Sequence, residues 1–540
     1  MGYEQIVETT LRSLTDQLLE QESQIRDGAG EKGRARQEKL GRLTARERIE
    51  QLLDPGKELM ELNLWAAHGM YDRWGEVPAA GVITGIGAIH GRPCMIVAND
   101  ATVKAGAFFP QTVKKVIRAQ NIAFRCALPI VYLVDSAGVF LPMQDEIFPD
   151  DDDFGRIFRN NAVLSAAGLP QYAAIMGNCV AGGAYLPVLC DKILMTQGSA
   201  LYLAGPSLVK AAIGQVVDEE ELGGAMMHSE VSGTVDFFEP DDPTCLERTR
   251  TLVETLPAER YVSLADDAGI APERDANDLY DIVSSDGRKE YDARDVLACV
   301  VDGESIQEYK QYYGQTLVTC YAKIGGRSVG VIANQRQRTK SAQGGIQVGG
   351  VVYAESADKA ARFVMDCNQV GLPIVFLQDV TGFMVGRDSE QAGVIRSGAK
   401  LVNAISNSRV PRLTVITGGA FGAGTYAMCG KAFDPHFVFA WPSARYAVMG
   451  GAQAAKTLVA LEKRQAERQQ ASLSEDELAQ LQQRVTEDYE RQTDIRYGAA
   501  RGWVDAIIAP HQTRETLIQA LAYATRQPPE AAFYGGVMQV

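Results

Sequence analysis

Two short glycine-bearing segments hold the residue types best suited to chemistry. One is Gly177-Asn-Cys-Val-Ala-Gly-Gly-Ala-Tyr185, centred on Gly182 and Gly183; the other is Gly418-Gly-Ala-Phe-Gly-Ala-Gly-Thr-Tyr426, centred on Ala423 and Gly424. In each, an apolar strand-like run passes through small residues into a helical stretch. With no bulky side chain in the way, backbone N–H groups approach a ligand closely. At the start of a helix such donors suit negative charge developing on oxygen, as in the enolate of a thioester. Packing of helix on strand would explain one such turn alone; two at matched positions point to two oxyanion holes. Neither segment fits G-x-G-x-x-G or a P-loop, so phosphate cradling by those motifs is not supported.

No side chain supplies an obvious base. There is no G-x-S-x-G elbow, and His228, in a glycine-rich stretch, reads as a satisfied loop histidine. The acidic run Asp150–Asp153 reads as a solvated turn rather than a cation site. Oxyanion donors without a protein base are unusual for a hydrolase but natural where a bound cofactor takes the proton. A basic stretch over 32–48 carries Lys32, Arg34, Arg36, Lys39, Arg42, Arg46 and Arg48 against Glu38 and Glu47. In a chain of net charge −15, this local excess predicts an anion site, with Arg46 and Arg48 among its candidate ligands. Thr44 and Glu47 form a capping box that opens a helix ending at the turn Asp54-Pro55-Gly56.

The elements around these residues belong to a large α/β protein. The 540 residues are 46% hydrophobic and 22% charged, enough for several domains with sizeable cores. Lys and Arg number 53 against 68 Asp and Glu, a global field that disfavours nucleic acid as a partner. Nine scattered cysteines with no C-x-x-C pair read as free thiols in a reducing compartment, with no zinc site and no disulfide framework. No apolar run reaches the ~18 residues of a membrane span. Glu4, Glu8, Asp16, Glu20 and Glu22 argue against a targeting peptide. The expectation is a soluble cytoplasmic protein.

The first 30 residues read as a helix, with Ile6, Leu11, Leu14, Leu18 and Leu19 near helical spacing. From residue 80, short apolar runs alternate with helical stretches. Strands are expected at Cys94–Ala98, Ile130–Val134, Tyr172–Met176 and Lys192–Met195. A second block repeats them at Val329–Ala333, Ile374–Leu377, Leu413–Thr417 and Phe437–Ala440.

The halves are related in sequence. Leu128-Pro-Ile-Val-Tyr-Leu-Val-Asp-Ser-Ala-Gly138 matches Leu372-Pro-Ile-Val-Phe-Leu-Gln-Asp-Val-Thr-Gly382; Gly91-Arg92 through Asn99 recurs as Gly326-Arg327 through Asn334; the two glycine segments form the third pair. The offsets are 244, 235 and 241 residues. Three matches in order indicate a duplicated domain, with a period far too long for a solenoid. The division expected is an N-terminal helix over 1–30, a first domain over 31–262, an acidic linker over 263–300 and a second domain over 301–540.

The chain resembles the carboxyltransferase (β) subunits of biotin-dependent acyl-CoA carboxylases, of the 3-methylcrotonyl-CoA carboxylase type. The resemblance is carried by Leu43-Thr-Ala-Arg-Glu-Arg-Ile49, Asn99-Asp-Ala-Thr-Val-Lys104, Ala181-Gly-Gly-Ala-Tyr185, Leu203-Ala-Gly-Pro206, Thr381-Gly-Phe-Met-Val-Gly-Arg387 and Val448-Met-Gly-Gly-Ala-Gln-Ala-Ala455. It implies two tandem crotonase-type ββα-superhelix domains, with an active site between the first domain of one subunit and the second of another. The turn Ala181–Ala184 would hold the thioester oxygen of the acyl-CoA. Phe421, Gly422, Ala423 and Gly424 would hold the ureido oxygen of carboxybiotin. After Asn334-Gln335, the polar stretch Arg336–Gly349 departs from the methylcrotonyl type. Asn-Gln is similar to the propionyl type, and Gly349-Gly350 to the glutaconyl-CoA decarboxylase subunit.

The charged stretch Leu458–Thr493 looks like the family's partner-docking or trimer-contact region. No Met-Lys-Met biotin acceptor and no ATP-grasp loop is found, so biotin and the ATP-driven step belong to a biotin carboxylase or biotin carrier partner, in a complex built on a homo-oligomer, a hexamer by the resemblance. The alternative is the carboxyltransferase (α) subunit of a sodium-coupled biotin-dependent acyl-CoA decarboxylase. A crotonase-type hydratase or hydrolase would need a carboxylate base beside Gly182-Gly183.

Overall fold

The computed structural model describes residues 10–148, 150–257, 269–341, 344–450, 454, 457–460, 463–464 and 474–526. Residues 1–9 of the expected first helix, 263–268 of the expected linker, 461–462 and 465–473 of the charged stretch, and 527–540 lie outside it. The chain forms two compact units, Glu20–Tyr261 with Ala499–Gly502, and Met1–Leu19, Val262–Gly498 and Trp503–Val540.

The first unit holds an eight-stranded sheet. Its strands are β1 (Met60–Leu62), β2 (Val82–Ile89), β3 (Arg92–Asn99), β4 (Ile130–Ser136), β5 (Gln171–Val180), β6 (Lys192–Thr196), β7 (Ala200–Tyr202) and β8 (Phe237–Glu239). The order is β1-β2-β3-β4-β5-β6-β8, with β7 on the far end of β5. The pairs β1–β2 and β2–β3 are antiparallel and the rest parallel. Parallel strands are reached through crossovers, here the helices Pro110–Arg125 and Phe154–Ala166.

The second unit repeats this plan. Its strands are β9 (Gln307–Glu308), β10 (Leu317–Ile324), β11 (Arg327–Asn334), β12 (Thr339–Lys340), β13 (Ile346–Gln347), β14 (Val351–Val352), β15 (Ile374–Val380), β16 (Gly382–Phe383), β17 (Arg412–Phe421), β18 (Phe437–Ala440), β19 (Arg445–Ala447) and β20 (Ala506–Ile507). The order β9-β10-β11-β15-β17-β18-β20, with β19 on β17, reproduces the first sheet strand for strand. Val82 faces Asn99, and 235 residues later Leu317 faces Asn334.

All eight expected strands lie within these elements. The antiparallel strands β2 and β10 are not among the expected runs; in β2, Gly85 and Gly87 interrupt the apolar pattern. The glycines are there for space: a Cβ would stand 2.6 Å from Leu59 at Gly85 and 2.3 Å from Leu53 at Gly87. The acidic stretch read as a linker carries, within its described part, the helices Leu279–Ile282 and Ala293–Val300. Leu279, Ile282, Val296, Leu297 and Val300 are buried there, because apolar residues at helical spacing outweigh the turn-rich composition around them. Among the described residues no helix is long and apolar enough to cross a membrane.

Each unit buries one lysine at the sixth position of its first crossover helix. Lys115 donates to the Ala79 carbonyl at 3.0 Å, and Lys359 to the carbonyls of Lys310 and Tyr313 at 3.2 and 2.9 Å. Burial pushes the amines down to about 7 and about 8. Between about 7 and the ordinary 10.5, Lys115 is neutral in the fold and charged in the unfolded chain. The unfolded state then binds more protons, so this lysine makes stability rise with pH across that window. Lys115→Met should flatten the rise, read by urea denaturation at about pH 7 and about pH 9.

Candidate active site

In the first unit β5 runs into the 3-10 turn Ala181–Ala184 and then the short helix Tyr185–Val188. Of Ala181 and Gly182 only the backbone is described. A Cβ built on Gly183 would lie 3.9 Å from both Gly138 Cα and Phe154 Cζ, so the turn faces the loop that leaves β4. That loop is held from behind. The Gly138 N–H donates to Ser136 Oγ (3.1 Å), Ser136 Oγ donates to the Gly106 carbonyl (2.7 Å), and the Ala137 N–H donates to the Ala105 carbonyl (2.9 Å). Lys104, Ala105 and Gly106 form a left-handed turn with φ of 49, 55 and 66°. Only glycine fits at 106, where a Cβ would stand 2.1 Å from the Asp135 carbonyl oxygen. Ring contacts Phe108–Phe154, Phe154–Phe158 and Phe158–Tyr185, at 4.9, 4.9 and 6.2 Å, build an apolar wall beside the turn.

The second unit places the equivalent groups in the same order. β17 runs into the helix Gly422–Ala427, with Phe421 as its N-cap. A Cβ on Gly424 would meet Val380 Cγ2 at 2.7 Å and Gly382 Cα at 3.1 Å; Gly382 follows β15 as Gly138 follows β4. The Gly350 carbonyl accepts from the Thr381 N–H at 2.8 Å, which holds this loop as residues 105–106 hold the other. Gly422 has φ +54° and a Cβ there would lie 2.9 Å from the Val448 carbonyl. Ala423 is exposed and Gly424 buried. The N–H groups of a first helical turn have no partner within their own helix, so both turns can offer donors to a ligand oxygen.

The basic segment is placed otherwise than expected. Thr44 does cap the helix Ala45–Leu52, its hydroxyl accepting from the Glu47 N–H at 3.3 Å while Glu47 accepts from the Thr44 N–H at 2.7 Å. Arg48, however, is 1% exposed and cannot reach a phosphate arriving from solvent. It donates to Asp242 (2.8 Å), Asp135 (3.4 Å) and the Met176 carbonyl (2.9 Å). Arg46 is bound to both oxygens of Glu61 (3.0 and 3.3 Å) and to the Arg26 carbonyl (2.7 Å). Both guanidiniums are held by carboxylates outside the segment, which a count over 32–48 cannot register. Arg48→Ala should therefore lower folding stability by about 3 kcal/mol, since it removes the cation that Asp242 pairs with and leaves buried Asp135 only Arg42 at 3.9 Å. Arg46→Ala should lower the melting temperature less than Arg48→Ala does, because Arg26 still faces the buried Glu61 at 3.3 Å, and should leave acyl-CoA affinity nearly unchanged, measured by calorimetry.

Both ring nitrogens of His228 are engaged, one with the Leu201 carbonyl (2.6 Å) and one with Ser232 Oγ (2.8 Å), and it sits in the short helix Ala225–Glu230. Within the acidic run Asp153 is buried and accepts from the Asp150 N–H at 2.9 Å, while Asp152 pairs with Lys114 at 3.3 Å. Sequence reasoning did not single out Gly138, Gly382, Asp135 and Asp379, of which the two glycines face the turns. All four stand inside the repeated string Leu128–Gly138 and Leu372–Gly382, so the repeat itself was the available signal.

A family model described as the carboxyl transferase domain matches residues 36–533. The chain belongs to the carboxyl transferase domain family. It is 44% identical over 515 residues to the mitochondrial methylcrotonoyl-CoA carboxylase beta chain of Arabidopsis thaliana, covering 94% of this chain and 85% of that one. It is also 44% identical, over 513 residues, to the biotin-dependent 3-methylcrotonyl-coenzyme A carboxylase beta1 subunit of Mycobacterium tuberculosis, covering 94% and 93%. The crystal structure of the P. aeruginosa geranyl-CoA carboxylase beta subunit matches it with a TM-score of 0.85 at 33% identity, over 100% of this chain and 99% of that one. The expected fold, two tandem crotonase-like α/β domains from an internal duplication, is the fold of this carboxyl transferase chain.

Proposed function

We propose that this chain is the carboxyltransferase component of a biotin-dependent acyl-CoA carboxylase acting on a 3-methylcrotonyl-like thioester. The observation that carries the reading is the duplicated turn: Gly183 facing Gly138 in one unit, and Gly424 facing Gly382 in the other. Two donor sites on two equivalent sheets suit a reaction in which two carbonyl-type oxygens carry charge at different stages. The relatives described above are carboxylase subunits, which favours carboxylation over the sodium-coupled decarboxylase reading.

In this reading the turn Ala181–Ala184 directs its N–H groups at the thioester oxygen, lowering the cost of enolate formation. The aromatic row ending at Tyr185 gives an apolar acyl group a dry wall. Asp135, the carboxylate beside that turn, is 4% exposed and tied to Arg48 and the Asn178 N–H, so it is not the base that a hydratase would need. Gly422, Ala423 and Gly424 fit a planar ureido group. Gly422 leaves no room for a side chain against Val448, Ala423 is open to solvent, and exposed Tyr426 and Val448 offer an apolar edge. Phe421, Gly422, Ala423 and Gly424 would hold carboxybiotin carried by a partner subunit, which would supply the carboxyl group and a nitrogen able to accept the substrate proton.

A homo-oligomer, taken as a hexamer, belongs to the same proposal. It is supported by exposed apolar side chains that a lone subunit would leave in water: Leu203, Leu208, Ile213 and Val216 in one unit, and Val385, Ile395 and Val448 in the other. Cytoplasmic residence belongs to the same proposal, supported by the scattered spacing of the nine cysteines, none of them in a C-x-x-C pair. The test is turnover of the complex, purified with its biotin-bearing partner, on acetyl-, propionyl-, 3-methylcrotonyl- and geranyl-CoA with labelled bicarbonate. The highest kcat/KM is expected for 3-methylcrotonyl-CoA; label in none of the products overturns the assignment.

A further inference from the structure

Parallel ladders rarely carry bulges, yet both sheets carry one, at the same place. Between the pairs Val134–Ile175 and Ser136–Cys179, the single residue Asp135 stands opposite Met176, Gly177 and Asn178. Between Gln378–Ile416 and Val380–Ala420, the single residue Asp379 stands opposite Thr417, Gly418 and Gly419. At this point each strand changes partner. Tyr172–Ile175 pair with β6, whereas Asn178–Val180 pair with β7. Leu413–Ile416 pair with β18, whereas Gly419–Phe421 pair with β19. The segment beyond the bulge is the one that enters the glycine turn.

The aspartate fills the bulge in both units. Asp135 Oδ1 accepts from the Asn178 N–H at 3.2 Å, and Asp379 Oδ1 from the Gly419 N–H at 2.7 Å. Gly177 and Gly418 leave the space, since a Cβ there would stand 2.1 and 2.4 Å from the respective carboxylate oxygens. The second oxygen is held differently in the two units. Asp135 Oδ2 meets Arg48 at 3.4 Å, and that guanidinium also donates to the bulge carbonyl of Met176. Asp379 Oδ2 accepts from the Tyr291 hydroxyl at 2.9 Å and lies 3.3 Å from Arg336 Nε. Arg48 and Arg336 are not repeat equivalents. The carboxylate and the glycine recur while the cation source differs, so the feature common to both units is the fastening of the bulge.

We infer that Asp135 and Asp379 are positioning residues for the two oxyanion turns, each fixing the point at which its strand changes partner and thereby the aim of the N–H groups three residues on. The inference rests on the reading of those turns given under Proposed function. An error of about 1 Å in such a group costs about 10²-fold in rate, whereas ground-state binding of a long CoA ester spreads over many other contacts.

The test uses the intact complex with 3-methylcrotonyl-CoA and labelled bicarbonate. Asp135→Asn and Asp379→Asn should each lower kcat by about tenfold with the KM for acyl-CoA within about twofold, the signature of an interaction felt in the transition state. Asp135→Asn combined with Gly183→Ala should cost less than the product of the single effects, because both act through one turn; Asp379→Asn with Gly183→Ala should multiply. Wild-type kcat in either aspartate variant, or multiplication in the first pair, overturns the inference. An unimpaired Gly183→Ala would instead remove the oxyanion reading beneath it. Should the aspartate variants fail to assemble, Tyr291→Phe withdraws one donor from Asp379 at constant ring volume. It should lower kcat about threefold at unchanged KM, and wild-type kcat there overturns the inference for the second unit.

Discussion

Gly183→Ala lowers carboxyl transfer by about 10²-fold while the subunit folds and assembles normally; this is the expected result of filling an oxyanion site without disturbing its frame. The added methyl fits, since its nearest described neighbours, Gly138 Cα and Phe154 Cζ, stand at 3.9 Å, ordinary van der Waals contact. It occupies the space between turn and loop in which the thioester oxygen is proposed to sit. Steady-state kinetics on the assembled complex, beside a melting curve, separates the two effects. Turnover within about threefold of wild type in a folded variant would remove this turn from the chemistry.

The second large effect is expected at Gly424, where even alanine does not fit. Its Cβ would stand 2.7 Å from Val380 Cγ2 and 3.1 Å from Gly382 Cα, so the loop after β15 must move away from the turn. Transfer from carboxybiotin should fall by at least about 10²-fold. Acyl-CoA affinity, read by calorimetry on the same variant, should stay within about twofold, because the proposed thioester site belongs to the other unit. Loss of acyl-CoA binding with normal assembly would mean that the two turns serve the opposite ligands.

The repeats were legible because core strands of a parallel sheet are continuous apolar runs, covered by helices on both faces. Leu128–Gly138 and Leu372–Gly382 keep that pattern together with the glycine that closes the loop. The offsets of 235, 244 and 241 residues between matched strings are those between β3 and β11, β4 and β15, and β5 and β17. The glycine turns were legible for the same reason, as short text at the end of a readable strand. β2 was not, because its glycines answer to Leu53 and Leu59 rather than to a turn.

By itself, then, the amino-acid sequence determined the duplication, the core strands of each repeat, the two turns and the capped helix opening at Thr44. These are properties of residues within a few positions of one another. The tertiary structure alone decided where the charges go. Arg46 and Arg48 look alike on the page, two residues apart on one helix. Helical geometry sends one, half-exposed, to Glu61 and the other, fully buried, to Asp135 and Asp242, 87 and 194 residues away. A guanidinium carries its charge to whichever carboxylate the fold brings within reach. In a low-dielectric interior an unpaired charge is too costly to leave, so the partner is set by chain packing and not by local composition.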